Sequence, residues 1–179
     1  LYLYLIFFML LSQVHGQSLS NTWSEVKEKG NGTLVVAYSE NSPFIYNDAQ
    51  GRLAGIEYEL LEDFIRFIDE KYGAELNLKY EHLYNFESLI DTLKNSQRPI
   101  LGIASISTLE ERKKDFKISD PYMPDIEIII SSRIFGSVSS LAEFANMVRN
   151  NRAITVTNST FERNILELKK DYFPGIKVE

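Results

Sequence analysis

The sequence predicts an α/β fold in which helices cover a parallel sheet, and three observations predict it. Short β-rich runs alternate with stretches of helical spacing. The order from residue 33 onward is strand, helix, strand, helix, strand. A unit of strand, polar turn, S-x-x-E and helix then occurs twice, around Ser107 and around Ser159. Sheets of this kind bind ligands outside the carboxyl ends of their strands. The loops at those ends are therefore the places to look for function.

The elements follow in order. Residues 17–32 are polar apart from Trp23 and Val26, and read as a linker or a loosely docked short helix. Leu34-Val35-Val36-Ala37-Tyr38 is β-rich and bounded by turn formers, which predicts a buried strand. Ser39 to Pro43 leaves that strand as a loop, Phe44-Ile45-Tyr46 is extended, and Asn47 to Gly51 is a turn. From Ile56 the spacing is helical. Leu60, Leu61, Phe64, Ile65 and Ile68 share one face, and Gly73 ends the helix. Leu76 to Tyr80 alternates as a strand, and Phe86, Leu89, Ile90 and Leu93 mark the next helix. Ile126 to Ile130 reads as an apolar strand, Ser140 to Asn150 as a helix and Ala153 to Thr157 as a strand.

The most informative stretch is Ala104 to Arg112. Leu101, Ile103 and Ile106 supply a short strand, after which Ser107 and Glu110 have capping-box spacing, so a helix is expected from Thr108. Unpaired N–H groups in its first turn would form an anion site, and Arg112 about one turn later would grip a carboxylate through two parallel hydrogen bonds. The bland alternative is that Ser107 merely caps and Arg112 is a solvated surface arginine. Ser159-x-x-Glu162 repeats the pattern, with Phe161, Ile165 and Leu168 on the following helical face. The loop Ser39 to Phe44 and the Ser105 to Arg112 segment are expected to meet at one sheet edge.

Composition bounds the function. With 179 residues, net charge −6 and 44% hydrophobic residues, the chain is an ordinary globular unit with no basic surplus for nucleic acid. Leu1 to Leu11 is an uncharged apolar run too short to span a membrane, and Val14-His15-Gly16 ends it with small residues at its outer and last positions. Residues 1–16 therefore read as a secretory signal cleaved after Gly16, recorded from inside its own start. The chain has no cysteine, hence no disulfide and no lipoprotein acylation site, which suits a bacterial periplasm. Of two histidines one lies in the signal, leaving His82, which speaks against a histidine metal site or catalytic triad. Glu57, Glu59, Glu110 and Glu111 are explained by helical faces and capping boxes rather than by a paired-carboxylate hydrolase. No catalytic residue, metal or cofactor is expected.

Thr33 to Phe44, Gly55 to Leu60 (GIEYEL), Ser105 to Arg112 (SISTLEER) and Ser119 to Tyr122 (SDPY) together resemble the family 3 solute-binding proteins, the periplasmic receptors for polar amino acids. The resemblance covers roughly Thr33 to Glu179. It implies a type II periplasmic-binding-protein-like α/β fold with two lobes closing about a hinge: residues 33–125 as the first lobe, 126–132 as a hinge strand and 133–179 as the start of a second lobe whose remainder, with the residue for a ligand amino group, lies beyond Glu179. It also implies the ligand contacts. Phe44 lines the pocket, and Asn41 stands where many members place a stacking aromatic. Ser105 and Ser107 offer hydroxyl and backbone groups to an α-carboxylate, Arg112 clamps it, and Ser159 with Thr160 forms the helix start that meets it. Gln97-Arg98-Pro99-Ile100 departs from the family's usual Gly-Lys-x-Asp stretch.

The function so implied is capture of a polar amino acid or similar small carboxylate in the periplasm for an ABC importer, with its permease as partner. Asn41-Ser42-Pro43 and Asn164 to Glu179 are also similar to the receptor-like N-terminal domain of membrane-bound lytic murein transglycosylases. The alternatives are accordingly a regulatory domain of such an enzyme, whose catalytic glutamate lies in a separate C-terminal domain, or the sensing domain of a membrane receptor.

Overall fold

The computed structural model describes residues 20–124 and 128–179. The expected signal, residues 1–16, lies outside them, as do residues 125–127 at the start of the expected hinge strand. Two compact units emerge within the described residues: the first from 20–83 and 91–105, the second from 84–90 and 106–179.

The first unit is built on a parallel sheet of three strands, β1 (Asn31–Tyr38), β4 (Glu75–His82) and β5 (Ile100–Ile103), in the order β4-β1-β5. Val35, Val36, Ala37 and Tyr38 of the central strand are all buried, as its continuous apolar run predicts. The register pairs Tyr38 with both His82 and Ile103. All three strands therefore end at one edge. A short antiparallel pair, β2 (Tyr46–Asn47) with β3 (Leu53–Ala54), is closed by a turn in which Asp48 accepts the N–H groups of Gln50 and Arg52.

Helix α2 (Ile56–Tyr72) joins β3 to β4 and buries Leu61 and Ile68. It ends where Gly73, at φ 61°, donates its N–H to the Asp69 carbonyl, a left-handed cap that glycine adopts without penalty. Leu61 joins Val36, Tyr38, Ile45 and Ile103 in the main core, with Tyr58 and Tyr80 packed against it. Helix α3 (Phe86–Asn95) is started by Asn85, whose side chain accepts from the Ser88 N–H. Leu89 and Ile90 of α3 are buried.

The stretch read as a linker or loosely docked helix holds a well-capped one. Helix α1 (Trp23–Lys29) has a complete capping box: the Glu25 N–H donates to Thr22 Oγ1, and the Thr22 N–H donates to the Glu25 carboxylate at 2.6 Å. Val26 is fully buried with Ile68 and Ala74. Asn21 fastens the segment by exchanging hydrogen bonds with the Thr33 backbone at 2.8 and 2.9 Å. The strand begins at Asn31, three residues before the expected start at Leu34. Hydrogen bonds from the Thr22 N–H and hydroxyl hold the Glu25 carboxyl below its ordinary pKa.

The second unit contains α4 (Leu141–Arg149), capped by Ser140, and a parallel β–α–β: β6 (Arg152–Ala153), α5 (Thr160–Asp171) and β7 (Lys177–Val178). Ile176 is buried, and Phe144 meets Phe173 edge to face at 5.1 Å. The strand expected over 153–157 is shorter than its sequence: pairing stops near Thr155, whose N–H reaches the Glu179 carbonyl. The expected strand over 126–132 is not formed in its described part, 128–132, which is irregular and leaves Ile128 73% and Ile130 84% exposed. Apolar β-branched residues favour a strand only where a neighbouring strand accepts the backbone hydrogen bonds, and among the described residues none pairs there.

Gly55 is where backbone geometry most constrains the chain. Its φ is 123°, and a Cβ would sit 2.3 Å from the Phe44 carbonyl oxygen. That crowding has a cause: the loop carbonyls of Pro43 and Phe44 accept the first N–H groups of α2, from Ile56 and Glu57. Gly51, at φ 74°, has nothing within 4 Å of the same point. Gly51→Ala is expected to cost about 1 kcal/mol from backbone strain alone, and Gly55→Ala roughly 2 to 6 kcal/mol, because overlap adds to strain. Urea unfolding of both variants checks this; equal losses would show that the close approach is unimportant.

Candidate functional site

Two clusters collect the seven residues singled out in the sequence, one in each unit. The first lies at the carboxyl edge of the three-stranded sheet. Residues after β1 and β5 meet there as the parallel topology predicts: the Asn41 side-chain amide donates to the Ser105 hydroxyl at 2.6 Å. Asn41 also bridges to Ile45, which shapes the loop holding half-buried Phe44. Ser105 has φ 48°, a left-handed conformation rare for a residue with a side chain. Its N–H donates to both oxygens of the Glu57 carboxylate at 3.0 Å. Glu57 stands in the first turn of α2, where the helix dipole favours a negative charge, and it is only 6% exposed. Helical spacing alone makes Glu57 one of a solvated face; the signal that sets it apart is an acid in the first turn of a helix just after Gly55.

The second cluster surrounds Arg112, and here the expected local structure is corrected. No helix begins at Thr108; the backbone runs irregularly through 105–109 and makes only a 3-10 turn, Arg112–Lys114. An N-cap serine would give its carbonyl to the N–H four residues on, but the Ser107 carbonyl accepts from Arg112 Nη1 at 3.0 Å. Its hydroxyl lies 3.3 Å from that of Thr160. Glu110 pairs instead with Lys113. The anion cradle expected from a helix start at Ser107 is therefore absent from that place.

Arg112 is not a solvated surface arginine either. It is 7% exposed, donates from Nη2 to the Asn158 carbonyl at 2.7 Å, and lies over the Phe86 ring at 5.3 Å. Burial, reinforced by nearby Arg163 and partly opposed by Glu111, lowers its pKa, yet a guanidinium remains charged. Among the described residues no carboxylate forms an ion pair with it: Glu111 pairs with Arg163. Buried charges are ordinarily paired, whereas this cation's direct contacts are two carbonyl dipoles and a ring face, with the Glu111 charge acting from nearby.

The second motif gives the expected N-cap at Ser159, but its glutamate reaches one residue further back than a capping box requires. Ser159 caps α5 by accepting the Glu162 N–H at 3.2 Å, and the Glu162 carboxylate reaches back to the Asn158 N–H at 2.8 Å. Asn158 has φ 60°, and its side chain donates to Glu87. Ser159 and Thr160 are both buried. Arg112, Ser107 and Thr160 thus gather at the start of α5 rather than at a helix of their own.

The profile of the bacterial extracellular solute-binding proteins, family 3, matches residues 34–171. The chain belongs to this family. Its members are extracytoplasmic, and the matched stretch is a binding fold rather than a catalytic one. Relatives in the family include membrane-bound lytic murein transglycosylase F of Pseudomonas fluorescens Pf-5, 30% identical over 159 residues that make up 89% of this chain and 30% of that protein. The Actinobacillus succinogenes protein of the same name is 32% identical over 108 residues, 59% of this chain and 20% of that one. The chain thus spans less than a third of the length of these relatives. Among solved structures, a Salmonella typhimurium periplasmic binding protein described for high arginine specificity aligns with TM-score 0.59 and 18% identity over 82% of this chain and 58% of its own. A Streptococcus pneumoniae substrate-binding protein with bound histidine aligns with TM-score 0.61 and 16% identity, covering 87% and 57%. The ancestral amino-acid-binding protein AncCDT-1 gives TM-score 0.61 and 19% identity, covering 89% and 64%. These likenesses show the type II periplasmic-binding fold, of which this chain spans part.

The Ser159 cap is directly testable. Ser159→Ala is expected to lower stability by about 1 kcal/mol, and Ser159→Thr to retain most of it. The urea midpoint, or loss of amide protection over the first turn of α5, measures the effect; an unchanged midpoint in Ser159→Ala would deny the cap any energetic role.

Proposed function

We propose that this chain is an extracytoplasmic domain that captures a small carboxylate, a polar amino acid or close relative, with Arg112 holding the carboxylate. The observation that carries this reading is the buried guanidinium of Arg112, which has no ion-pair partner among the described residues and donates to the carbonyl of Ser107, whose hydroxyl meets that of Thr160. Three of its five N–H groups remain after the bonds to Ser107 and Asn158, enough for a two-pronged grip. The ligand's negative charge would supply the compensation that the fold withholds. Within the first unit, Asn41, Phe44 and Ser105 are assigned as ligand contacts in their own right, Phe44 as an apolar wall and Ser105 as a hydroxyl donor.

The simplest setting is the periplasm, with the domain delivering its ligand to the permease of an ABC importer. A second reading is favoured by the names of the curated relatives and by the small share of their length that this chain spans. In it, the domain is the regulatory part of a membrane-bound lytic murein transglycosylase, and its ligand is the amino-acid or peptide portion of a murein fragment. A catalytic domain encoded downstream in the gene would favour the second reading, and an adjacent permease gene the first.

Hydrogen bonds to charged groups contribute about 1.5 to 3 kcal/mol. Arg112→Ala in the full-length protein is therefore expected to weaken binding by about tenfold to a hundredfold, and Arg112→Lys to restore little, since an ammonium lacks the planar fork. Isothermal titration with a panel of amino acids and muropeptides, with melting temperatures measured in parallel, tests both the role and the ligand class. Wild-type affinity in a folded Arg112→Ala protein would remove Arg112 from the site.

A further inference from the structure

We propose that Glu57 is a positioning residue for ligand binding: its buried carboxylate fixes the backbone of Ser105 so that the Ser105 hydroxyl donates its proton to the ligand. The proposal rests on the reading of Ser105 as a ligand contact, and it adds a residue and a hydrogen-bond polarity that no comparison assigns. A left-handed serine is strained, and such strain persists only where the surroundings over-determine it. Two polar ties do so here. The Ser105 N–H is aimed between both Glu57 oxygens, at 3.0 Å from each, and the Ser105 hydroxyl oxygen accepts from the Asn41 amide at 2.6 Å.

The first tie sets where the residue sits, and Glu57 is well placed to hold it. Its own N–H is bonded to the Phe44 carbonyl, so the carboxylate is anchored at the start of α2 and buried against movement. The second tie sets polarity. Because Asn41 occupies an acceptor lone pair of the Ser105 oxygen, the hydroxyl proton is directed elsewhere. A ligand oxygen, from a carboxylate or a carbonyl, is the complementary group; an ammonium is not. Asn41, standing where relatives of the family place a stacking aromatic, thus acts through Ser105.

The test uses full-length protein carrying Glu57→Gln, Ser105→Ala and both together, with L-arginine, L-glutamine and L-histidine as probes. Each single substitution is expected to weaken the tightest-binding probe roughly tenfold, the loss of one well-placed hydrogen bond. If Glu57 acts through Ser105, the double variant binds no more weakly than Ser105→Ala alone. Losses that multiply would show Glu57 to be a general support of the fold and would overturn the proposal. A second readout needs no ligand: the Ser105 amide proton resonance, shifted downfield by the carboxylate in wild type, should move upfield and lose exchange protection in Glu57→Gln. An unmoved Ser105 amide overturns the proposal even if binding changes. If none of the three amino acids binds wild type, the amino-acid reading fails instead, and the amide signal alone decides whether Glu57 fixes Ser105.

Discussion

The pairing of β1 with β4 on one side and β5 on the other is the constraint on which the first unit depends. Parallel strands place all their carboxyl ends at one edge, and the register here aligns Tyr38, His82 and Ile103. The loops that follow β1 and β5 are far apart in sequence yet must emerge side by side. The bond from Asn41 to Ser105, across 64 residues of sequence, is a direct result. Tyr38 and Ile103, which end β1 and β5 at that edge, belong to the apolar core with Val36, Ile45 and Leu61, so the polar cluster follows directly from buried strand ends. Function placed on loops with a rigid base is held in position without the loops needing regular structure of their own.

The charges of the two clusters are arranged on different principles. Glu57 is buried at the positive end of a helix, where both its carboxylate oxygens accept the Ser105 N–H, a local solution that fixes geometry. Arg112 is a buried cation bonded to carbonyls, which satisfy direction but not charge. The difference matters because an uncompensated buried charge raises the energy of the unliganded state, whereas a satisfied one only fixes geometry. Capture of an anion by the second unit is therefore expected to draw its affinity from Arg112, while the Glu57 and Ser105 pair fixes geometry within the first unit.

Elements with local signals were legible in the sequence. The apolar run of β1, the helical face closed by Gly73 and the Ser159 N-cap each depend on neighbouring residues, and each formed where it was read. Thr22-x-x-Glu25 carries the same kind of signal for α1, masked by a stretch in which only Trp23 and Val26 are apolar. The failures have one origin. Ser107 has capping-box spacing, but its carbonyl is claimed by Arg112 and its hydroxyl faces Thr160, partners that no local pattern reveals. Ile128 to Ile130 has strand composition, but composition cannot provide the pairing strand. The family resemblance names candidate site residues, and their role in binding is a proposal. The supports of those residues, Glu57 for Ser105 and the Asn158 carbonyl for Arg112, were not legible, since both are tertiary.

Backbone strain connects these observations. Among the described residues, Ser105 and Asn158 are the two non-glycine positions with positive φ, and each belongs to one of the two clusters. Glycine would adopt either conformation more cheaply, so the side chains must return something. They do so by fixing polar groups: the Ser105 hydroxyl is held by Asn41, and the Asn158 amide is held by Glu87 while its carbonyl is turned to Arg112. In each case an acidic group secures the backbone N–H of the strained residue, Glu57 for Ser105 and Glu162 for Asn158. A carboxylate aimed at the N–H of a left-handed residue thus occurs independently in both units. This arrangement leaves carbonyl and hydroxyl oxygens pointing in directions that a relaxed turn would not give them, which is the usual physical mark of a loop held for binding rather than for connection.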